Sequence, residues 1–146
     1  MKQILSAFLG FSLLLSPEWY LDFGKAKEKA QTQHKYILLN FSGSDWCGPC
    51  IRMKQEIFDA EVFRQFAGEH LVLVNADFPR TRKHALSNEQ QKKNDQLADQ
   101  YNKQGIFPLT TLLTADGKVI KSWEGFPQVT ADEFTKQLQN LINAAN

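Results

Sequence analysis

Cys47 and Cys50 are the two cysteines of the chain, and they stand three apart in Cys47-Gly48-Pro49-Cys50. Two thiols at that spacing on a helix start can close a disulfide without rearranging the backbone, and Pro49 keeps the turn between them stiff. Such a pair supports three chemistries: thiol–disulfide exchange, half of a zinc site, or a static cross-link. Zinc needs two further ligands, and the three histidines, His34, His70 and His84, form no pair at zinc-ligand spacing. They read as surface or loop-edge imidazoles. A static cross-link over so short a loop constrains the unfolded chain little. Exchange is therefore the chemistry these residues favour.

Cys47 follows a strand-like run and a turn, at the place where a helix should begin. Unpaired backbone N–H groups there favour its thiolate. Lowering a thiol pKa from about 8.5 to about 7 raises the thiolate fraction at neutral pH from roughly 3% to roughly half, yet intrinsic nucleophilicity falls, so attack gains only about threefold. The larger gain comes at departure: a stabilised Cys47 leaves readily when Cys50, one turn along, attacks its mixed disulfide.

The elements that must hold this pair can be read from periodicity. Phe23 to His34 is rich in helix formers, Ile37 to Phe41 is a buried strand, and Ser42 to Asp45 is a turn. A helix should start in the cysteine motif, run through Ile51, Met53 and Ile57, and end or kink near Asp59, where an N-cap residue opens a further helix over Ala60 to Ala67. Met53 reads as core, and Val62, Phe63 and Phe66 share one face. Leu71 to Val74 is a second buried strand, Phe78 to Leu86 a surface loop, and Ser87 to Gln90 the capping box of a polar helix reaching about Asn102, with Leu97 and Tyr101 inward. Leu109 to Thr114 and Val119 to Trp123 form a hairpin across Asp116-Gly117, and a capped helix from Thr130 closes the chain on Phe134, Leu138, Leu141 and Ile142. A short, less well-marked strand precedes the first helix. The string predicts an α/β fold, a central mixed β-sheet flanked by helices.

Composition fits one domain. The 146 residues are 42% hydrophobic and 12% aromatic, with 17 Lys plus Arg against 16 Asp plus Glu, a net charge of +1. So balanced a chain lacks the field that nucleic-acid binders use, which argues against DNA or RNA as a partner. One local basic patch, Arg80, Arg82, Lys83, Lys92 and Lys93 against Glu89, reads as solvated surface, or otherwise as a dock for an acidic partner or anionic membrane. At the N-terminus, Lys2 precedes the apolar run Ile4 to Leu15, long enough for an export signal and short for a membrane span. Residues 1–16 are taken as a signal peptide and 17–146 as the domain. A retained anchor and a buried N-terminal helix are the alternatives, since no good cleavage site precedes Trp19.

Trp46-Cys47-Gly48-Pro49-Cys50 after a buried strand, with Phe107-Pro108 before a later one, resembles the thioredoxin superfamily over roughly Trp19 to Ala144. The stretches Phe41 to Cys47, Phe66-Ala67-Gly68 and Val74 to Pro79 are most similar to exported, periplasmic thioredoxin-like disulfide reductases and isomerases. The resemblance implies a thioredoxin fold, with Cys47 as nucleophile and Cys50 as resolving thiol. It implies that Pro108 is a cis-proline facing the dithiol, and that Trp46, Gly48, Pro49, Phe107, Gly125 and Phe126 meet the substrate. It further implies a protein-disulfide reductase with no cofactor beyond the Cys47–Cys50 disulfide, located in the cell envelope. Its partners would be disulfide-containing proteins and a membrane-embedded thiol electron donor, and the molecule would be a monomer. A disulfide isomerase or oxidase, a non-catalytic adaptor that uses the same groove, and a metal-binding module are the alternatives.

Two positions depart from that pattern. Asn40 stands where thioredoxin has a buried Asp, and Leu73 where it has a Lys. An amide cannot accept a proton at neutral pH. Water or one of Asp45, Glu56 and Asp77 is then expected to assist Cys50.

Overall fold

The computed structural model describes residues 16–146, so the segment 1–16 expected to be an export signal lies outside the described residues apart from Ser16. One five-stranded mixed sheet has the order β1-β3-β2-β4-β5. In it β1 (Trp19–Tyr20), β2 (Tyr36–Ser42) and β3 (Leu71–Asp77) run parallel, while β4 (Leu109–Leu113) and β5 (Val119–Glu124) are antiparallel. The helices are α1 (Phe23–Gln33), α2 (Gly48–Arg52), α3 (Glu61–His70), α4 (Asn88–Tyr101) and α5 (Ala131–Ala145).

Alternation along the strands divides the core into two layers. Ile37, Leu39 and Phe41 of β2 join Val72, Val74 and Ala76 of β3 beneath Ala26 and Ala30 of α1 and Leu97 of α4. Leu38 points the other way and joins Leu73 and Leu112 with Met53, Ile57, Phe63, Phe134 and Leu138. Both faces are covered, so β2 reads as a continuous apolar run instead of an alternating one.

The helix starts follow their side chains. Asp22 accepts the Lys25 N–H at 3.0 Å and Ser87 that of Gln90 at 3.1 Å, while Thr130 and Glu133 cap each other's backbone reciprocally.

Three local expectations need correction. The helix from the cysteine motif is α-helical only to Arg52 and continues as a π-helical stretch, Met53–Phe58. The wider turn brings Met53, Ile57 and Phe58 all inward, which a 3.6-residue repeat would not. Asp59 does not cap α3: its carboxylate is held by Lys54 at 2.7 Å, and Ala60 precedes α3 without a side-chain bond. Finally, β3 continues past Val74 to Asp77, because Asn75 and Asp77 find polar partners on β2.

Candidate active site

The parallel strands β2 and β3 end together, Ser42 opposite Asp77, and the reactive motif follows β2 directly. Gly43 accepts N–H bonds from both Trp46 and Cys47, at 3.2 and 2.9 Å. A Cβ at Gly43 would overlap the Trp46 indole, so only glycine lets the ring lie on the backbone here. Cys47 then serves as N-cap of α2 with extended backbone, and its Sγ accepts the Cys50 N–H at 3.2 Å. A disulfide joins Cys47 and Cys50, whose Cα atoms lie 5.2 Å apart. The pair is 4% and 6% exposed, while Gly48 and Pro49 between them face solvent. Nothing lies within 4 Å of a Cβ placed at Gly48, which leaves that side of the motif open.

The expected groove residues fall into two linked groups, one of them starting at Trp46 beside Cys47. Trp46 meets the edge of Phe107 at 5.4 Å between centroids, and Phe107 meets Phe78 at 5.5 Å. The Phe107–Pro108 peptide bond is cis, and the Pro108 carbonyl accepts the Gly125 N–H at 2.8 Å. Gly125 takes φ 72°, a conformation glycine adopts without strain. Phe126, next along, lies under the Arg52 guanidinium at 4.2 Å.

The loop after β3 is anchored more firmly than its sequence suggests. The Trp46 indole N–H donates to the Phe78 carbonyl at 2.7 Å, and the Arg80 guanidinium stacks on the indole at 3.6 Å. Asp45, its side chain only 6% exposed, accepts the N–H groups of Arg80 and Thr81, each at 2.9 Å, and the Thr81 hydroxyl at 2.6 Å. These donors, the Thr81 hydroxyl foremost, hold the Asp45 carboxyl well below the usual carboxylate range. A single 3-10 turn, Arg82–His84, completes the loop. Sequence reasoning missed Phe78 and Arg80 as neighbours of the motif; the one available signal was a Phe-Pro pair directly after a strand.

Behind Cys50 the same strand alternation that buries Leu38 and Leu73 sets Asn40, Ser42, Asn75, Asp77 and Thr110 on the face that α2 covers. They form a hydrogen-bonded chain. Thr110 donates to Asn40 at 3.0 Å, and the Asn40 amide donates to Asn75 at 3.1 Å. The Ser42 hydroxyl reaches Asn75 and Asp77, each at 3.1 Å. A cavity of about 640 Å³ opens here, bounded by Cys50, Asn40, Ser42 and Asn75 on one side and by Trp19 and Phe58 on another. Leu73 is buried beside Leu38 in the sheet, in the apolar layer a Lys would have to enter.

The three carboxylates expected to assist Cys50 have other partners. Asp45 clamps the 80–84 loop, and Glu56 pairs in solvent with Arg52 at 2.9 Å, which lowers its pKa. Asp77 receives the Ser44 N–H at 2.9 Å and the hydroxyls of Ser42 and Ser44. Of the three, only Asp77 connects to the polar chain at the cavity wall. The basic patch also divides: Lys93 pairs with Asp22 at 3.0 Å and Glu89 at 3.2 Å, while Arg80, Arg82 and Lys83 stay exposed. Among the described residues no three His, Cys, Asp or Glu side chains cluster as metal ligands.

A model of the thioredoxin-like domain matches residues 23–142. The chain belongs to the thioredoxin-like family. Among relatives it is 42% identical over 96 residues to the disulfide bond reductase DsbH of Chlamydia pneumoniae, a stretch that is 66% of this chain and 56% of that protein. It thus spans little more than half the length of that relative. A solved DsbH oxidoreductase is 30% identical, with a TM-score of 0.80 over 98% of this chain and 95% of the other. The oxidised C-terminal domain of Neisseria meningitidis DsbD, 21% identical with a TM-score of 0.56 over 84% of this chain and 98% of its own, shares the fold. The thioredoxin-like body, sheet and flanking helices included, is the one the sequence pattern predicts.

Proposed function

We propose that this thioredoxin-like chain is a thiol–disulfide oxidoreductase that reduces protein disulfides. The observation that carries the reading is the Cys50 N–H aimed at Cys47 Sγ from the first turn of α2. In the dithiol form the same N–H stabilises a Cys47 thiolate, and with it both attack and departure. The Cys47 thiolate attacks one sulfur of the substrate disulfide, forming a mixed disulfide and releasing the other sulfur as a thiolate, which takes a proton from water. Cys50 then gives up its proton and attacks Cys47 Sγ. The second substrate sulfur leaves, the Cys47–Cys50 disulfide forms, and two electrons have passed to the substrate. Solvent in the cavity beside Cys50 receives that proton, in place of the buried acid that Asn40 replaces.

Trp46, Gly48, Pro49, Phe107, Pro108 and Gly125 are assigned to substrate contact: Gly48 and Pro49 are exposed within the motif, Trp46 packs on Phe107, and Pro108, next to Phe107, bonds Gly125. Turnover requires a dithiol donor for the oxidised form; in an oxidising envelope a membrane-embedded thiol carrier fits that need. The apolar run Ile4 to Leu15, together with the likeness to DsbH, supports export and a domain over 17–146, and that likeness supports action on disulfide-containing proteins. No cofactor beyond the disulfide is called for.

Insulin reduction tests the reading. Wild-type protein should catalyse it, Cys47→Ser should abolish it, and Cys50→Ser should accumulate the mixed disulfide. Binding of substrate without turnover in the wild type would leave an adaptor instead. Equilibration with glutathione separates reductase from isomerase, because roughly 30 mV shifts the two-electron balance tenfold. A potential near the envelope poise would favour the isomerase.

A further inference from the structure

The loop after β3 sets a charge beside the dithiol that the reduction chemistry itself does not use. Trp46 is the residue before Cys47, and the Arg80 guanidinium lies over its indole at 3.6 Å. The backbone that carries this side chain is fixed from both ends, which keeps its Cα beside the indole. Phe78 is tied to the indole N–H, and the Arg80 and Thr81 N–H groups are tied to Asp45. Arg80, Arg82 and Lys83 are all exposed, and among the described residues no carboxylate forms an ion pair with any of them. Among the described residues Asp45 is the carboxylate that hydrogen-bonds to this loop, and it faces backbone N–H groups, the Thr81 hydroxyl and His84 with its side chain almost wholly covered. Elsewhere on the groove carboxylates accompany or replace the positive charge. Arg52 over Phe126 already meets Glu56 at 2.9 Å, and Glu124 is exposed next to Gly125. The unmatched positive charge therefore sits on the Trp46 side alone.

We propose that the Asp45-pinned loop 78–84 is a specificity element, with Arg80 as its principal contact, which selects disulfides flanked by acidic residues. The inference rests on the reductase reading above and names the substrate class of that site. At physiological salt the Debye length is about 8 Å, so Arg80 acts on charges within a residue or two of the reacting sulfur and little beyond. Arg82 and Lys83, one turn further on, add to the approach of an acidic segment.

The test uses the full 146-residue chain, reduced beforehand, in single turnover with three cystine peptides that differ only in the residues flanking the disulfide: Glu, Gln or Lys. At low ionic strength the Glu peptide should react roughly three- to fivefold faster than the Gln peptide, and the Lys peptide slower by a similar factor. The Glu-to-Lys ratio should shrink at 0.5 M salt. It should fall toward one in Arg80→Gln and be largely kept in Arg80→Lys, which loses the planar stack but not the charge. Because each variant is read as a ratio between its own substrates, a general loss of folding or rate does not imitate the effect. Equal rates for the three peptides in the wild type, or an unchanged ratio in Arg80→Gln, would overturn the inference and leave the reductase intact. Failure to reduce any of the three would overturn the reductase reading and this inference with it.

Discussion

Asn40 shows most clearly how one residue changes the chemistry of its neighbours. Its amide gives a hydrogen to Asn75 and accepts one from Thr110, so it is satisfied as a neutral group in the wall behind Cys50. Restoring an acid there puts a carboxylate where the surroundings are built for an amide. In Asn40→Asp the buried carboxyl has a folded pKa raised above its unfolded value of about 3.9, because burial penalises the charged form. The destabilisation is then fully present above the raised pKa and disappears as the pH falls through about 3.9. The protonated acid can donate to Asn75 as the amide does. Urea denaturation should show the variant about 2–4 kcal/mol less stable than wild type at pH 7, and by less than about 1 kcal/mol at pH 4. A pH-independent difference would mean that position 40 stays neutral throughout.

Among the elements, the loop from Phe78 to Leu86 carries the clearest lesson. Its sequence has no periodicity, and from composition it is merely polar surface. In the fold it is a pinned segment, because Asp45, over thirty residues away in sequence, reaches its amides. Those hydrogen bonds depress the Asp45 pKa, so the clamp is complete above the unfolded carboxyl value of about 3.9 and is lost only as the pH drops through the lower folded value. Wild-type protein should accordingly resist trypsin at Arg80, Arg82 and Lys83, whereas Asp45→Ala should be cut there about tenfold faster while the rest of the domain stays intact. Acid-active proteolysis at pH 4 should still find the wild-type loop closed. The π-helical stretch after α2 is the other element that sequence could not supply. Met53 and Ile57 marked an inward face, but the extra residue that turns Phe58 inward as well follows from the shape of the core it fills.

At the scale of the whole molecule, Phe134 of α5 ties the layer behind the active site together. It stacks near Trp123 at 5.0 Å, Phe63 at 6.4 Å and Phe58 at 6.5 Å, and Phe58 in turn lines the cavity beside Cys50. Phe134→Ala should cost about 3–5 kcal/mol, lowering Tm by roughly 10–15 °C in calorimetry. The dithiol, the strands' apolar runs, the capping box of α5 and its amphipathic face were legible in the sequence, because each is a local pattern with a local cause; at Ser87 only half of the expected box forms, since Gln90 does not cap back. Also legible was the motif's place between a strand and a helix, which is the basis for proposing Cys47 as the nucleophile. What lies around that sulfur was decided by the tertiary structure. Arg80 on Trp46, Asp45 on the loop, and the Thr110–Asn40–Asn75–Ser42 chain behind Cys50 join residues between 33 and 70 positions apart. Contacts of that kind depend on strand order and register, which no local pattern encodes.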